Sequence, residues 1–142
     1  MKKEIKQTWL FKQTPEEVWE YLTKPELIEQ WLMKTDLVPV VGHKFQFMFV
    51  PKPGSIYDGF LDCEVLEVKP FTVFSYSWNG TANKGSRRFE SVVVWTLVAR
   101  DNGTELHLHH RGLELPEDIF NTSTGWENCV KRIEAMINAT AS

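Results

Sequence analysis

Three of the four histidines in this 142-residue chain stand almost together, at His107, His109 and His110. Imidazole is the side chain best suited to ligate a metal or move a proton near neutral pH. On a strand, His107 and His109 share one face and His110 takes the other. Two imidazoles fall one ligand short of a catalytic zinc site, and the neighbouring sequence offers no evident carboxylate. The plain reading of His107 and His109 is a solvated outer face. His110 shares its face with Leu106 and Leu108, so two readings stay open. It orients a ligand inside the protein, or it is a neutral histidine satisfied by a core partner.

Other ionisable groups are weighed the same way. Asp58, Asp62, Glu64 and Glu67 lie within or beside one strand pattern. A pair of them does acid–base work only if buried at a pocket, and such residues more commonly face solvent. Lys84, Arg87 and Arg88 either meet an anion at a pocket mouth or belong to a solvated loop. Lys84-Gly85-Ser86 is not a phosphate loop, and no Ser-His-Asp order or dinucleotide glycine pattern can be read. Cys63 and Cys129 fall on separate elements without C-x-x-C spacing and read as reduced, buried thiols. No catalytic residue, metal or cofactor is expected.

Aromatic residues make up 13% of the chain, with six Trp and nine Phe. They serve either an aromatic-rich core or the wall of a concave apolar surface. The candidate ligand-binding set is Trp31, Phe47, Phe49, Tyr76, Trp78, Trp95, His110, Trp126 and Val130.

The elements that position these residues can be read from periodicity. Ile5, Gln7, Trp9 and Phe11 give a first strand with one apolar face. Thr14-Pro15-Glu16-Glu17 opens a helix through a capping box, and Glu26 to about Trp31 gives a second short one. Residues 32–42 read as irregular. Phe45, Phe47 and Phe49 share one face of a strand, and Pro51-Lys52-Pro53-Gly54-Ser55 ends it. Tyr57 to Lys69 is a long strand whose alternation slips near Val65-Leu66, as at a bulge. Phe74, Tyr76 and Trp78 share a face of the next. Asn79-Gly80 reads as a turn opening a loop to Arg87, and Asp101-Asn102-Gly103 as another turn. Between those turns Val93, Trp95 and Leu97 mark a strand, and Thr104 to Arg111 returns. Leu115-Pro116 starts a helical turn, and Gly125 bends the path into a long final helix. Thr124 and Glu127 have capping-box spacing, and Trp126, Val130, Ile133 and Ile137 form one stripe.

The order is thus a strand, two short helices, five strands and a long helix. That is an α+β domain spanning residues 1–142, with a curved antiparallel sheet of about six strands wrapped around the C-terminal helix. Sixteen basic against nineteen acidic residues give a charge of −3, which disfavours nucleic acid. No secretory signal is evident at the N-terminus, and no apolar run approaches the roughly 20 residues of a membrane span. The chain therefore reads as cytoplasmic, as a monomer or homodimer, with no membrane partner.

Taken together, these segments resemble the SRPBCC superfamily, the START-like or helix-grip fold. The group it is most similar to is that of the C-terminal domain of the activator of the heat-shock-protein-90 ATPase. The residues that carry the resemblance begin with Thr14-Pro15-Glu16-Glu17-Val18-Trp19 and Thr23-Lys24-Pro25-Glu26-Leu27-Ile28-Glu29-Gln30-Trp31. Gly42 with Phe45-x-Phe47 follows, then Gly59 leading to Glu64-Val65-Leu66-Glu67-Val68-x-Pro70. Phe74-Ser75-Tyr76-Ser77-Trp78, Thr104-x-Leu106-x-Leu108-x-His110-x-Gly112-Leu113 and Gly125-Trp126 complete it. Val41-Gly42 stands where relatives commonly have Gly-Gly. The resemblance implies, first, a small hydrophobic molecule held between sheet and helix. It also leaves open a cyclase or dehydratase acting on an aromatic or polyketide-like substrate, with His110 as its ionisable group. A third implication is a stress-response role as a co-chaperone-like partner of a heat-shock ATPase. That activator carries a second domain for which 142 residues leave no room. Fold alone does not choose among the three.

Overall fold

The computed structural model describes residues 3–51, 53–55, 57–113 and 116–140. Strand β1 (Lys3–Phe11) buries Ile5 and Phe11 and turns Lys6 and Thr8 to water. Thr14 then begins helix α1 (Pro15–Thr23). Its hydroxyl accepts the Glu17 amide, Glu17 reaches back to the Thr14 amide, and Pro15 occupies the first turn. Helix α2 (Pro25–Trp31) follows after Lys24 alone, again with Pro in its first turn.

These two helices carry the chain across the sheet. β1 lies at one edge and β2 (Lys34–Thr35) at the other. From there β3 (Lys44–Met48), β4 (Tyr57–Lys69), β5 (Val73–Ala82), β6 (Arg87–Arg100) and β7 (Gly103–Leu113) return strand by strand, until β7 pairs with β1. The order is β1-β7-β6-β5-β4-β3-β2, and every pairing is antiparallel. The sheet therefore has seven strands rather than about six. The extra strand is β2, inside the stretch read as irregular, where two residues are too few to show a period. Its register is fixed by the Thr35 hydroxyl, which donates to the Gln46 carbonyl at 2.8 Å.

Strand alternation puts Phe45 and Phe47, Leu61, Cys63 and Val65, Phe74 and Tyr76, Val93, Trp95 and Leu97, and Leu106 and Leu108 on one buried face. The β4–β5 register slips between Val65 and Glu67, where the alternation predicts a bulge. Asn79-Gly80 is not a turn. It continues β5, with Asn79 opposite Glu90 and Gly80 opposite Phe89, and the real turn comes after Ala82. Asn83 and Lys84 take positive φ there, at 53° and 56°.

Helix α3 (Pro116–Thr140) lies on the inward face of the sheet and buries Trp126, Cys129, Val130, Ile133 and Ile137 in the same core. It starts well before Thr124, so Thr124 and Glu127 stand inside the helix and not at its cap. Gly125 is likewise helical and does not separate two elements. The start at Leu115 lies outside the described residues. Among the described residues no helix is long and apolar enough to cross a membrane.

The β6–β7 hairpin packs its turn against the end of β1. Gly103 has φ +141°, and a Cβ there would overlap the Phe11 carbonyl oxygen, which is backbone and cannot step aside. Gly103→Ala is expected to cost about 2–4 kcal/mol. Urea denaturation reads this as a lower midpoint at constant slope, and an unchanged midpoint would contradict the packing.

Candidate functional site

A pocket of about 410 Å³ opens between α3 and the β4–β7 part of the sheet. The helix contributes Thr122, Gly125, Trp126 and Cys129 to its wall. The sheet contributes Leu61 from β4, Trp78 from β5, Phe89 and Ser91 from β6, and Leu113 from β7. Leu32 and Met33, just after α2, close one side, with Phe49 and Tyr57 beside them. Local sequence explains the shape. Phe89 extends the inward row of Ser91, Val93 and Trp95, and Gly80 opposite leaves the space its ring needs. A Cβ on Gly80 would come within 2.7 Å of Phe89 and 2.9 Å of Leu61.

Two tryptophans dominate the wall. The rings of Trp78 and Trp126 lie 5.1 Å apart, and Trp95 packs edge-on against Trp126 from beneath at 5.3 Å. A hydrogen-bonded chain runs behind them. Trp126 Nε1 donates to His110 Nδ1 at 3.0 Å, His110 Nε2 meets Ser91 Oγ at 2.8 Å, and the Ser91 hydroxyl donates to the Trp78 carbonyl at 2.9 Å. His110 is fully buried, and burial, with a smaller contribution from His109, pulls its pKa down to about 3. The imidazole is therefore neutral at ordinary pH.

Three other buried groups, Cys63, Tyr76 and Cys129, are held neutral too. Burial pushes the Cys129 thiol up to about 11, a rise only partly offset by Arg132, and the Cys63 thiol up to about 12. A thiol of that kind is a poor nucleophile. Burial also raises the Tyr76 phenol, whose oxygen accepts the Trp95 indole N–H at 3.1 Å.

Of the nine residues that the sequence marks for the pocket, Phe49, Trp78 and Trp126 line it. Trp31, Phe47, Tyr76, Trp95, His110 and Val130 do not. They are at most 2% exposed and packed in the core. Trp31 is turned away by its indole N–H, which donates to the Tyr21 carbonyl at 2.7 Å. Strand alternation reports which face a residue occupies. It does not report which stretch of that face the helix fills and which it leaves open. Tyr57, Leu61, Phe89, Leu113 and Cys129 were missed for the same reason, although Phe89 could be found by extending the row of Val93 and Trp95 backwards.

Several of the remaining candidates have structural partners. Asp58 is a brace for the β5–β6 turn: it accepts from the Thr81 hydroxyl at 2.5 Å and from the Lys84 and Gly85 amides at 3.0 and 2.8 Å. Those bonds, the Thr81 hydroxyl first, hold its carboxyl below the usual range. His107 and His109 do face outward, but each has a carboxylate beside it, against the expectation of none, and Glu105 stands only two residues before His107 on the same strand face. His107 Nε2 is 2.6 Å from Glu105, and His109 Nε2 is 2.7 Å from Glu4 on β1. Arg88 pairs with Glu90 at 3.0 Å. Among the described residues no three His, Cys, Asp or Glu side chains converge as a metal site would need.

Comparison with known proteins places this geometry. The family model of Activator of Hsp90 ATPase homolog 1-like protein matches residues 12–138. Protein MLL2253 from Mesorhizobium loti is similar in structure with a TM-score of 0.86. The two are 33% identical over 97% of this chain and 98% of that one. The AHSA1 protein from Silicibacter pomeroyi gives a TM-score of 0.81 at 20% identity, covering 97% of this chain and 99% of its own. DynU16, a protein of the dynemicin biosynthetic locus, gives 0.78 at 22% identity, covering 95% of this chain and 47% of its own. The last two similarities bear on fold alone. No curated protein matches the chain.

Proposed function

Because the chain belongs to the family of Activator of Hsp90 ATPase homolog 1-like proteins, and its helix and sheet leave an apolar pocket between them, we propose that it binds a small hydrophobic molecule there without transforming it. The observation that carries this reading is the wall of the pocket. It combines two tryptophans, two phenylalanines and aliphatic side chains with few polar groups, which suits an apolar, ring-containing ligand. Chemistry on the ligand would call for an ionisable group facing it with a pKa near the working pH. Glu90 and Cys129 both border it, but Glu90 is an exposed carboxylate paired with Arg88, and the Cys129 thiol is pushed up to about 11. His110 is neutral and both its ring nitrogens are engaged in the wall.

One feature favours a second reading, a protein-interaction role. Val38, Val40 and Val41 are exposed in the segment between β2 and β3, and Val50 lies open just beyond β3.

Native mass spectrometry of freshly purified protein should show a co-purified small molecule. Titration with uncharged aromatic and acyl compounds should give a saturable change in tryptophan fluorescence. Trp126→Ala should weaken that binding at least about tenfold, in line with the loss of a large ring from an apolar wall. His109→Ala should leave it unchanged. Equal effects of the two substitutions, or no saturable binding across the panel, would favour the interaction role.

A further inference from the structure

Each polar atom in the chain behind the tryptophans has its proton assigned by elementary chemistry. An indole N–H only donates, so His110 Nδ1, 3.0 Å away, must accept, and the ring proton of a neutral imidazole then sits on Nε2. Nε2 is 2.8 Å from Ser91 Oγ, which accepts it, and the Ser91 hydroxyl is left to donate to the Trp78 carbonyl at 2.9 Å. The chain therefore runs in one direction, from helix α3 through β7 and β6 to β5. It begins at one tryptophan of the pocket wall and ends on the backbone of the other. His110 touches both rings from behind, at 6.0 Å from Trp126 and 5.6 Å from Trp78, and does not itself line the pocket.

We infer that His110 is the positioning residue of the pocket: in its Nε2–H form it fixes the orientation of Trp126 and the direction of the Ser91 hydroxyl, and so presents a ligand with an apolar floor. Without the Nδ1 acceptor, the Trp126 N–H is a buried donor in need of a partner, and the ring rotates to find one. Without the Nε2 proton, Ser91 Oγ loses one of the two partners that fix its hydroxyl. With both in place the hydroxyl proton and the indole N–H are already used, so a ligand acceptor finds no hydrogen-bond donor in this chain. An uncharged molecule enters with its apolar end inward. This inference rests on the ligand-binding reading only for its consequence; the orientation of Trp126 is a property of the ligand-free protein.

The test uses three measurements on the full chain. Nitrogen NMR of the wild-type imidazole should show a pyridine-type Nδ1 and a protonated Nε2 for His110. A Nδ1–H form, or a doubly protonated ring at neutral pH, would overturn the inference without any variant. His110→Phe keeps a ring but removes the acceptor, whereas His110→Asn keeps an acceptor where Nδ1 stood. The Trp126 indole N–H should exchange slowly with solvent in the wild type, fast in His110→Phe and slowly again in His110→Asn. Affinity for the uncharged probe N-phenyl-1-naphthylamine should fall about five- to tenfold in His110→Phe and recover in His110→Asn, as expected for one hydrogen bond. Wild-type exchange and affinity in His110→Phe, or no recovery in His110→Asn, would overturn it. If His110→Phe does not fold, the Asn comparison and the wild-type spectrum still decide. If the wild type binds no probe, the ligand-binding reading fails, while the exchange data still decide the role of His110.

Discussion

A chain ended at Thr124 is expected to lose cooperative unfolding altogether. The cut falls inside α3 and removes Trp126, Cys129, Val130, Ile133 and Ile137, each of them at most 7% exposed. At about 2 kcal/mol apiece for a fully buried apolar side chain, the loss is on the order of 10 kcal/mol. A whole domain has only about 5–15 kcal/mol to lose. The damage does not stop at the helix. Val93, Trp95, Leu97, Leu106 and Leu108 form the sheet's inward face in the same core, and the part of that face packed against α3 would be laid bare. A graded version of the experiment keeps the helix. Ile133 has no exposed surface, and Ile133→Ala should cost about 2–5 kcal/mol by chemical denaturation. A sharp thermal transition in the truncated protein, or a loss below about 0.5 kcal/mol for Ile133→Ala, would show that α3 is an accessory and not the centre of the fold.

That centre is legible in the sequence because the signal is long. The stripe from Trp126 to Ile137 spans three helical turns, and the capping box at Thr14 and Glu17 is local chemistry that tertiary contacts do not alter. The helix start is misread at Thr124 because a residue that can cap and a glycine beside it look like a boundary. In the folded protein the burial of Trp126 and Cys129 on one side of Gly125 outweighs its propensity cost, which is about 1 kcal/mol. Asn79-Gly80 is misread in the same way. The dipeptide favours a turn, yet here Gly80 is needed for the close approach of Phe89 and Leu61, and the Asn79 side chain accepts the Ser91 amide at 3.2 Å. The pocket is the least legible part. It depends on where α3 stops filling the sheet's inward face, and that is a property of the assembled layers. Trp31 and Trp126 are both inward aromatics, and only packing separates the core ring from the wall ring.

Gly125→Phe is expected to abolish ligand binding without loss of stability, an outcome few substitutions of glycine by a large side chain would give. Gly125 lies in the interior of a 25-residue helix, where glycine is among the least favourable residues. A Cβ built there meets nothing within 4 Å, and Gly125 borders the pocket, so a large side chain at this position is expected to reach into it. Gly125→Ala should therefore raise stability by about 0.5–1 kcal/mol and weaken binding only slightly. Gly125→Phe keeps part of the backbone gain and puts an aromatic ring beside Trp126, where it takes the place of the ligand against an apolar wall. Calorimetry should show a melting temperature at or above that of the wild type, while the saturable tryptophan response disappears. A variant that unfolds at a lower temperature would mean that the space at Gly125 is not open. A variant of normal stability that still binds with wild-type affinity would place the ligand elsewhere on the protein. Loss of binding at unchanged or higher stability is the combination that assigns the function to this pocket, because it separates occupancy of the space from integrity of the fold.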